Sequence, residues 1–291
     1  MGEIVSAAVV GHVPTVMLEE DVRRRLDGSG RDTTLVEGYR RLKAHFEARA
    51  VDCWVVFDTH WFTTTEHVIA GARHHQGVYT SEEVPRVIHE LPFDYAGAPE
   101  LADAIRTVAK ERRIRMTNVT TPTLPRHYPT INLVHHMRRD EKILSAGICQ
   151  TAELDDYLAF GEVIAAAVAR TPAQVALLGS GGLSHRFWPL RTLFDHQDYD
   201  PSHVITPEAQ AADRHVLECW ERGDHAAVCD FYPEYRRHGP EGRFAHYLML
   251  LGAIGGRACK ARGKRYSAYE NSIGTGQVHV VFDVGYKQPA G

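Results

Sequence analysis

Short apolar runs, too brief for helices and separated by helix-length segments, restrict this chain to one class of architecture. Ile4–Val10 (IVSAAVV), Val51–Phe57 (VDCWVVF), His67–Gly71, Ile143–Ile148 (ILSAGI), Gln174–Leu178 (QVALL) and Val278–Asp283 (VHVVFD) have the composition of strands. The spacing between them predicts helices over Thr33–Arg49, Ala98–Arg112, Glu153–Arg170, Pro207–Arg222 and Glu241–Gly252, several opened by Ser, Thr, Asp or Pro. Such alternation predicts an α/β fold with a central mixed β-sheet flanked by helices, and an active site at the C-terminal ends of the strands. No internal repeat or low-complexity tract divides the chain, so residues 1–291 read as a single catalytic domain. The one linker-like stretch, Asp27–Asp32 (DGSGRD), reads as an exposed loop before the first of these helices.

Charge narrows the function classes. Lys and Arg number 33 against 37 Asp and Glu, a net charge of −4 spread along the chain. That distribution argues against binding nucleic acid or an anionic membrane surface. No apolar stretch approaches the ~20 residues of a membrane span, and the N-terminal MGEIVSAAVVGHVP has no leader pattern, so the expected location is cytoplasmic. Five cysteines without a CxxC pair fit a reducing compartment. The excess lies in histidine, 18 of 291 residues, the commonest metal ligand and the side chain that titrates near neutrality.

Three histidines follow predicted strands. His12 lies in Gly11-His12-Val13-Pro14, His60 in Phe57-Asp58-Thr59-His60-Trp61, and His185 in Gly179-Ser180-Gly181-Gly182-Leu183-Ser184-His185. Any one of them alone reads equally as a structural hydrogen-bonder. The glycine-rich turn lacks both nucleotide-loop spacings, and Ser184-His185 lacks a nucleophile-elbow frame. Glu241, in Gly239-Pro240-Glu241-Gly242, has a bland reading as a carboxylate in the first turn of a helix. Joined to His12 and His60, it completes a 2-His-1-carboxylate facial triad of the kind that holds non-haem Fe(II) with positions open for substrate and O₂. Asp58 is read either as an acceptor orienting a ligand imidazole or as a strand-end cap for a loop.

These motifs, with Gly77-Val78-Tyr79-Thr80-Ser81, Ser184-His185-Arg186-Phe187, Pro233-Glu234-Tyr235, Met249-Leu250-Leu251-Gly252 and Gly274-Thr275-Gly276-Gln277-Val278, resemble the class III extradiol ring-cleavage dioxygenases. Within that class they are most similar to the 3,4-dihydroxyphenylacetate (homoprotocatechuate) 2,3-dioxygenases, from about Val5 to Phe282. The resemblance implies Fe(II) held by His12, His60 and Glu241, with His185 as acid/base and Tyr128 beside it at the catalytic centre. It implies O₂ as co-substrate, a small aromatic diol as substrate, ring opening next to the diol to a muconate semialdehyde-type product, and a homo-oligomer. His127, Tyr269 and His246 are the expected substrate-binding residues. Two departures, Pro129 where the family often has glycine and Arg243-Phe244-Ala245-His246 after Glu241-Gly242, bear on the ring substituent.

Three other readings accommodate the same residues. A dioxygenase of this type could take an aminophenol, a hydroxypyridone or a secondary-metabolite catechol. A hydrolase using Zn²⁺ would accept two histidines and a glutamate, and relatives of the same fold act as non-enzymatic binding proteins. Retention of His12, His60, Glu241 and His185 speaks against the last.

Overall fold

A computed structural model of the chain describes residues 1–285, so residues 286–291 of the expected domain lie outside the described part. The N-terminal half runs β1 (Glu3–Val10), α1 (Glu20–Leu26), α2 (Thr34–Glu47), β2 (Cys53–Thr63) and β3 (His67–Ala70). It continues through the hairpin β4 (His74–Tyr79) and β5 (Leu91–Ala96), α3 (Pro99–Glu111), β6 (Met116–Val119) and α4 (Tyr128–Met137). The C-terminal half begins with β7 (Lys142–Cys149), α5 (Leu154–Val168), β8 (Gln174–Ser180), α6 (Pro207–Arg222), α7 (His225–Tyr235) and α8 (Ala245–Ala253). It ends with β9 (Gly263–Arg265), the small ladder β10 (Glu270–Ser272) and β11 (Thr275–Gln277), and β12 (His279–Phe282).

Eight strands form one mixed sheet in the order β6-β3-β7-β2-β8-β1-β12-β9, the α/β architecture expected from the sequence. The central four, β7, β2, β8 and β1, run parallel, and the antiparallel partners β3 and β12 flank them. Both faces are covered, which is why these strands read as nearly continuous apolar runs. Along β2, Cys53, Val55 and Phe57 enter a core shared with α3, α5, α6, α7 and α8. Trp54 and Val56 alternate to the opposite core, with α2, α4 and the hairpin tyrosines Tyr79 and Tyr95.

The helices start where their caps allow. Thr206 accepts the Ala209 N–H at 3.1 Å before Pro207 opens α6, and Gly223 closes that helix in the left-handed region at φ 70°. Asp156 accepts the Glu153 N–H at 2.9 Å at the start of α5.

One expectation is corrected and another is borne out with an addition. The helix expected over Glu241–Gly252 begins only at Ala245, because Gly242, Arg243 and Phe244 all have positive φ (53°, 60° and 64°) and break the chain direction first. The stretch Asp27–Asp32 is the expected loop, exposed from Gly28 to Arg31, and it is tethered at both ends. Asp27 is buried and accepts the Arg31 N–H at 3.1 Å, and Asp32 takes Arg23 in a bidentate pair at 2.7 Å per arm.

Candidate metal centre

Strand register accounts for the meeting of the two histidines. β8 lies between β1 and β2, and both Val10 and Asp58 pair level with Ser180 at its end. His12 and His60 each stand two residues past that level, so they rise from opposite sides of β8 at the same height. Glu241 arrives from across the sheet end. Its N–H donates to Leu183 O at 2.9 Å, His185 N–H donates to Gly239 O at 3.0 Å, and Ser184 bridges Pro240. The left-handed turn after Glu241 needs Gly242, since a Cβ there would lie 2.7 Å from Thr59 Cγ2.

His12 Nε2 lies 3.1 Å from Glu241 Oε1 and His60 Nε2 lies 3.5 Å from the same oxygen. One ligand atom from each of His12, His60 and Glu241 falls within 4.8 Å of the others. His185 Nε2 faces the cluster, 3.8 Å from Glu241 Oε2. The Tyr128 hydroxyl, at the first residue of α4, lies 3.0 Å from His60 Nε2.

Neighbouring acceptors set the tautomers of both histidines. The Ser180 hydroxyl donates to Pro129 O at 3.1 Å, so its oxygen accepts from His12 Nδ1–H, also at 3.1 Å. Glu83 Oε2 lies 3.3 Å from His60 Nδ1 and accepts the Tyr128 hydroxyl at 3.3 Å. With Nδ1 committed to these acceptors in each ring, both Nε2 atoms face Glu241. Asp58 performs the capping role of its two readings. It accepts the Thr130 hydroxyl at 2.6 Å and the Thr130 N–H at 3.2 Å in the first turn of α4, and the His60 backbone N–H at 3.1 Å, and among the described residues no imidazole nitrogen bonds to it.

Glu241 is 4% exposed, and its partners among the described residues are the Thr59 hydroxyl at 2.5 Å, the Gly182 N–H at 2.5 Å and imidazoles, with no Lys or Arg. Burial alone would raise its carboxyl, but His12 and the other imidazoles hold it well below the usual carboxylate range. A buried carboxylate with two imidazole Nε2 atoms within 3.5 Å of one oxygen is a donor set that fits a divalent cation. At His60 burial works against the charged form, yet Glu241 and Glu83 outweigh it and raise the ring's pKa, so the cluster favours positive charge. Burial pushes the His185 imidazole below its ordinary value.

Of the remaining expected residues, His127 and Tyr269 contact none of the three donors, whereas His246 lies beneath them, close enough to feel the charges of Glu241 and His12. His127 is directed to Glu82, 3.9 Å away, and lines a cavity of about 440 Å³ with Tyr79 and Arg126. Tyr269 donates its hydroxyl to Asp213 at 2.6 Å. His246 is fully buried in α8 and packs under Gly181, where a Cβ would come 2.9 Å from its Cε1. Thr59, Ser180 and Glu83 escaped the sequence reading. The first two sit inside quoted motifs and were legible there as polar neighbours of ligands, whereas Glu83 carries no signal beyond following Gly77–Ser81.

The chain is similar to known proteins over most of its length. The chain is 31% identical over 262 residues to the 3,4-dihydroxyphenylacetate 2,3-dioxygenase of Escherichia coli, covering 88% of this chain and 91% of that one. It shares its fold, at TM-score 0.66 and 17% identity, with the uncharacterized protein JW3007 of Escherichia coli K12, over 95% of this chain and 99% of that one. Residues 6–283 match the family described as the catalytic LigB subunit of aromatic ring-opening dioxygenase, and the chain belongs to that family.

Proposed function

We propose that this chain is an Fe(II)-dependent extradiol dioxygenase acting on a catechol-type ring like 3,4-dihydroxyphenylacetate. It places both atoms of O₂ in a product opened next to the diol. The observation that carries the reading is the convergence of His12 and His60, from either side of β8, with Glu241 above its end, and with His185 Nε2 3.8 Å from the shared carboxylate. Fe(II) held by these three side chains would supply Lewis acidity toward two adjacent ring oxygens and redox chemistry toward O₂.

The protein's own residues manage position and protons. Burial keeps His185 neutral near pH 7, so Nε2 can take a proton from a ring hydroxyl and return it later in the turnover. Once protonated, that nitrogen stands beside the Glu241 carboxylate, which stabilises the imidazolium. Burial also holds the Tyr128 hydroxyl in its neutral form, so it remains a hydrogen-bond donor at the edge of the site. Glu83 and Ser180 accept from Nδ1–H of His60 and His12 and fix the orientation of both rings. No external reductant is required, because the ring and O₂ together contain every atom and electron of the product.

The test is O₂ uptake by anaerobically Fe(II)-loaded protein with 3,4-dihydroxyphenylacetate, protocatechuate, catechol, 2-aminophenol and a dihydroxypyridine. Uptake with a catechol and a yellow ring-opened product supports the reading, whereas iron-loaded protein inert to all five overturns it. His185→Ala should retain iron and slow turnover roughly 10²–10⁴-fold. His12→Ala, His60→Ala and Glu241→Ala should lose iron.

A further inference from the structure

Asp213 is a carboxylate that the reaction described above does not use. It lies on α6, is 0% exposed, and forms no ion pair with Lys or Arg among the described residues. Burying an ionised carboxylate away from any cation is costly, so its donors bear the whole compensation. Each oxygen receives two hydrogen bonds. Oδ1 accepts the Ser184 N–H at 3.0 Å and the Tyr235 hydroxyl at 2.7 Å. Oδ2 accepts the Ser184 hydroxyl at 2.7 Å and the Tyr269 hydroxyl at 2.6 Å. Gly276 faces the same carboxylate closely enough that a Cβ would collide with it.

Ser184 immediately precedes His185 and is the middle of a three-segment ladder. On one side Leu183 N–H donates to Gly276 O at 2.8 Å and Gly276 N–H donates to Ser184 O at 2.9 Å. On the other side lie the contacts already described to Gly239, Pro240 and Glu241. Neither ring nitrogen of His185 has a hydrogen bond among the described residues, and its one ring neighbour is Phe187, at 4.9 Å between centroids. The orientation of that imidazole is therefore set through its backbone, and the backbone is fixed at Ser184.

We propose that Asp213, buttressed by Tyr235 and Tyr269, is a positioning residue that fixes Ser184 and through it aims His185 Nε2 at the substrate beside Glu241. This deepens the acid/base reading of His185 and rests on it. Tyr269 thereby acquires a role two contacts from the chemistry rather than at the substrate.

The test is a mutant cycle on the Fe(II)-loaded enzyme with its best ring substrate. Asp213→Asn keeps the shape but turns an amide N–H₂ toward donors, and should lower kcat about 10- to 100-fold with iron stoichiometry and KM unchanged. In the His185→Ala background the same substitution should have no further effect, because Asp213 acts through that ring. Tyr269→Phe and Ser184→Ala, which remove one donor each, should give smaller losses of the same kind and replace Asp213→Asn if that variant does not fold. In metal-free protein with ¹⁵N-labelled histidine, the His185 ring signal, assigned by its absence in His185→Ala, should shift or broaden in these variants while that of His12 stays. Wild-type kcat in Asp213→Asn, or an equal loss in the presence and absence of His185, overturns the proposal. If His185→Ala itself turns over normally, the acid/base reading fails, and the ring signal alone decides whether Asp213 fixes the imidazole.

Discussion

Replacing His67 by Phe should make this protein more resistant to acid, by an amount that follows from proton linkage. His67 is 5% exposed, its ring stacks on Phe160 at 4.1 Å between centroids and 4° between planes, and its Nδ1 has no hydrogen-bond partner. Burial lowers its pKa from 6.5 to about 4, with Asp156 opposing too weakly to restore it. Above pH 6.5 the ring is neutral in both folded and unfolded chains and linkage contributes nothing. As pH falls from 6.5 toward 4 the unfolded chain binds a proton that the folded chain does not, and stability is lost over that window. At pH 5.5 the loss is about 1.4 kcal/mol for this one ring. His75 and His279, also buried with pKa values lowered by burial to about 4 and about 3, follow the same sign. The three together cost about 4 kcal/mol at pH 5.5, comparable with the ~5–15 kcal/mol stability of a whole domain. Phe preserves the stack and removes the proton site. Urea midpoints of chelator-treated protein, in which metal–proton competition at His12 and His60 plays no part, should be similar for both proteins at pH 7.5. At pH 5.5 the variant's midpoint should exceed wild type by about 0.5 M, taking m as about 3 kcal/mol/M. Parallel stability curves for the two proteins between pH 7.5 and 5.5 would refute the assignment.

Two further substitutions probe how the metal donors are supported. Gly242→Ala forces a Cβ to 2.7 Å from Thr59 Cγ2 in a left-handed turn, so it should displace Glu241 and cost about 1–2 kcal/mol in backbone strain. Atomic spectroscopy after dialysis should find less than wild-type metal per chain, and full occupancy with an unchanged melting temperature would contradict this. Asp58→Ala removes the acceptor of the Thr130 N–H and hydroxyl and of the His60 N–H, and should destabilise the protein by about 2 kcal/mol with weakened metal binding. A wild-type urea midpoint in that variant would show that α4 does not depend on this cap.

The sequence disclosed some parts of the site and concealed others for a physical reason. His12 and His60 were legible because each follows a strongly apolar run, and the composition of such a run is a local property, although β2 continues past His60 to Thr63 after a break in register. Their common height depends on both strands pairing level with Ser180, a register that adjacent parallel strands adopt once their apolar faces are buried together. Glu241 was legible as a residue but not as a geometry. Arg243 and Phe244 in left-handed conformations run against their own propensity, and only the surrounding contacts hold them there. The helix α4 was missed because it is ten residues long, carries Pro129 near its start, and takes its cap from Asp58, 72 residues earlier. The hairpin β4–β5 was missed because its strands bury few residues.

The same distinction separates donors from the groups that orient them. A metal ligand at a strand end announces itself by residue type and position, whereas Glu83, Ser180 and Asp213 act through partners 23, 168 and 29 residues away. Polar contacts of that span leave no period in the sequence, and their residue types are ordinary on any surface. What they contribute is orientation: Nε2 of His12 and of His60 turned toward Glu241, and a ring of His185 held without a hydrogen bond of its own. Two chains could share every legible donor and still differ in rate and in the ring they accept, because those properties depend on supporting contacts that exist only once the sheet, α4, α6 and the β10–β11 ladder have come together.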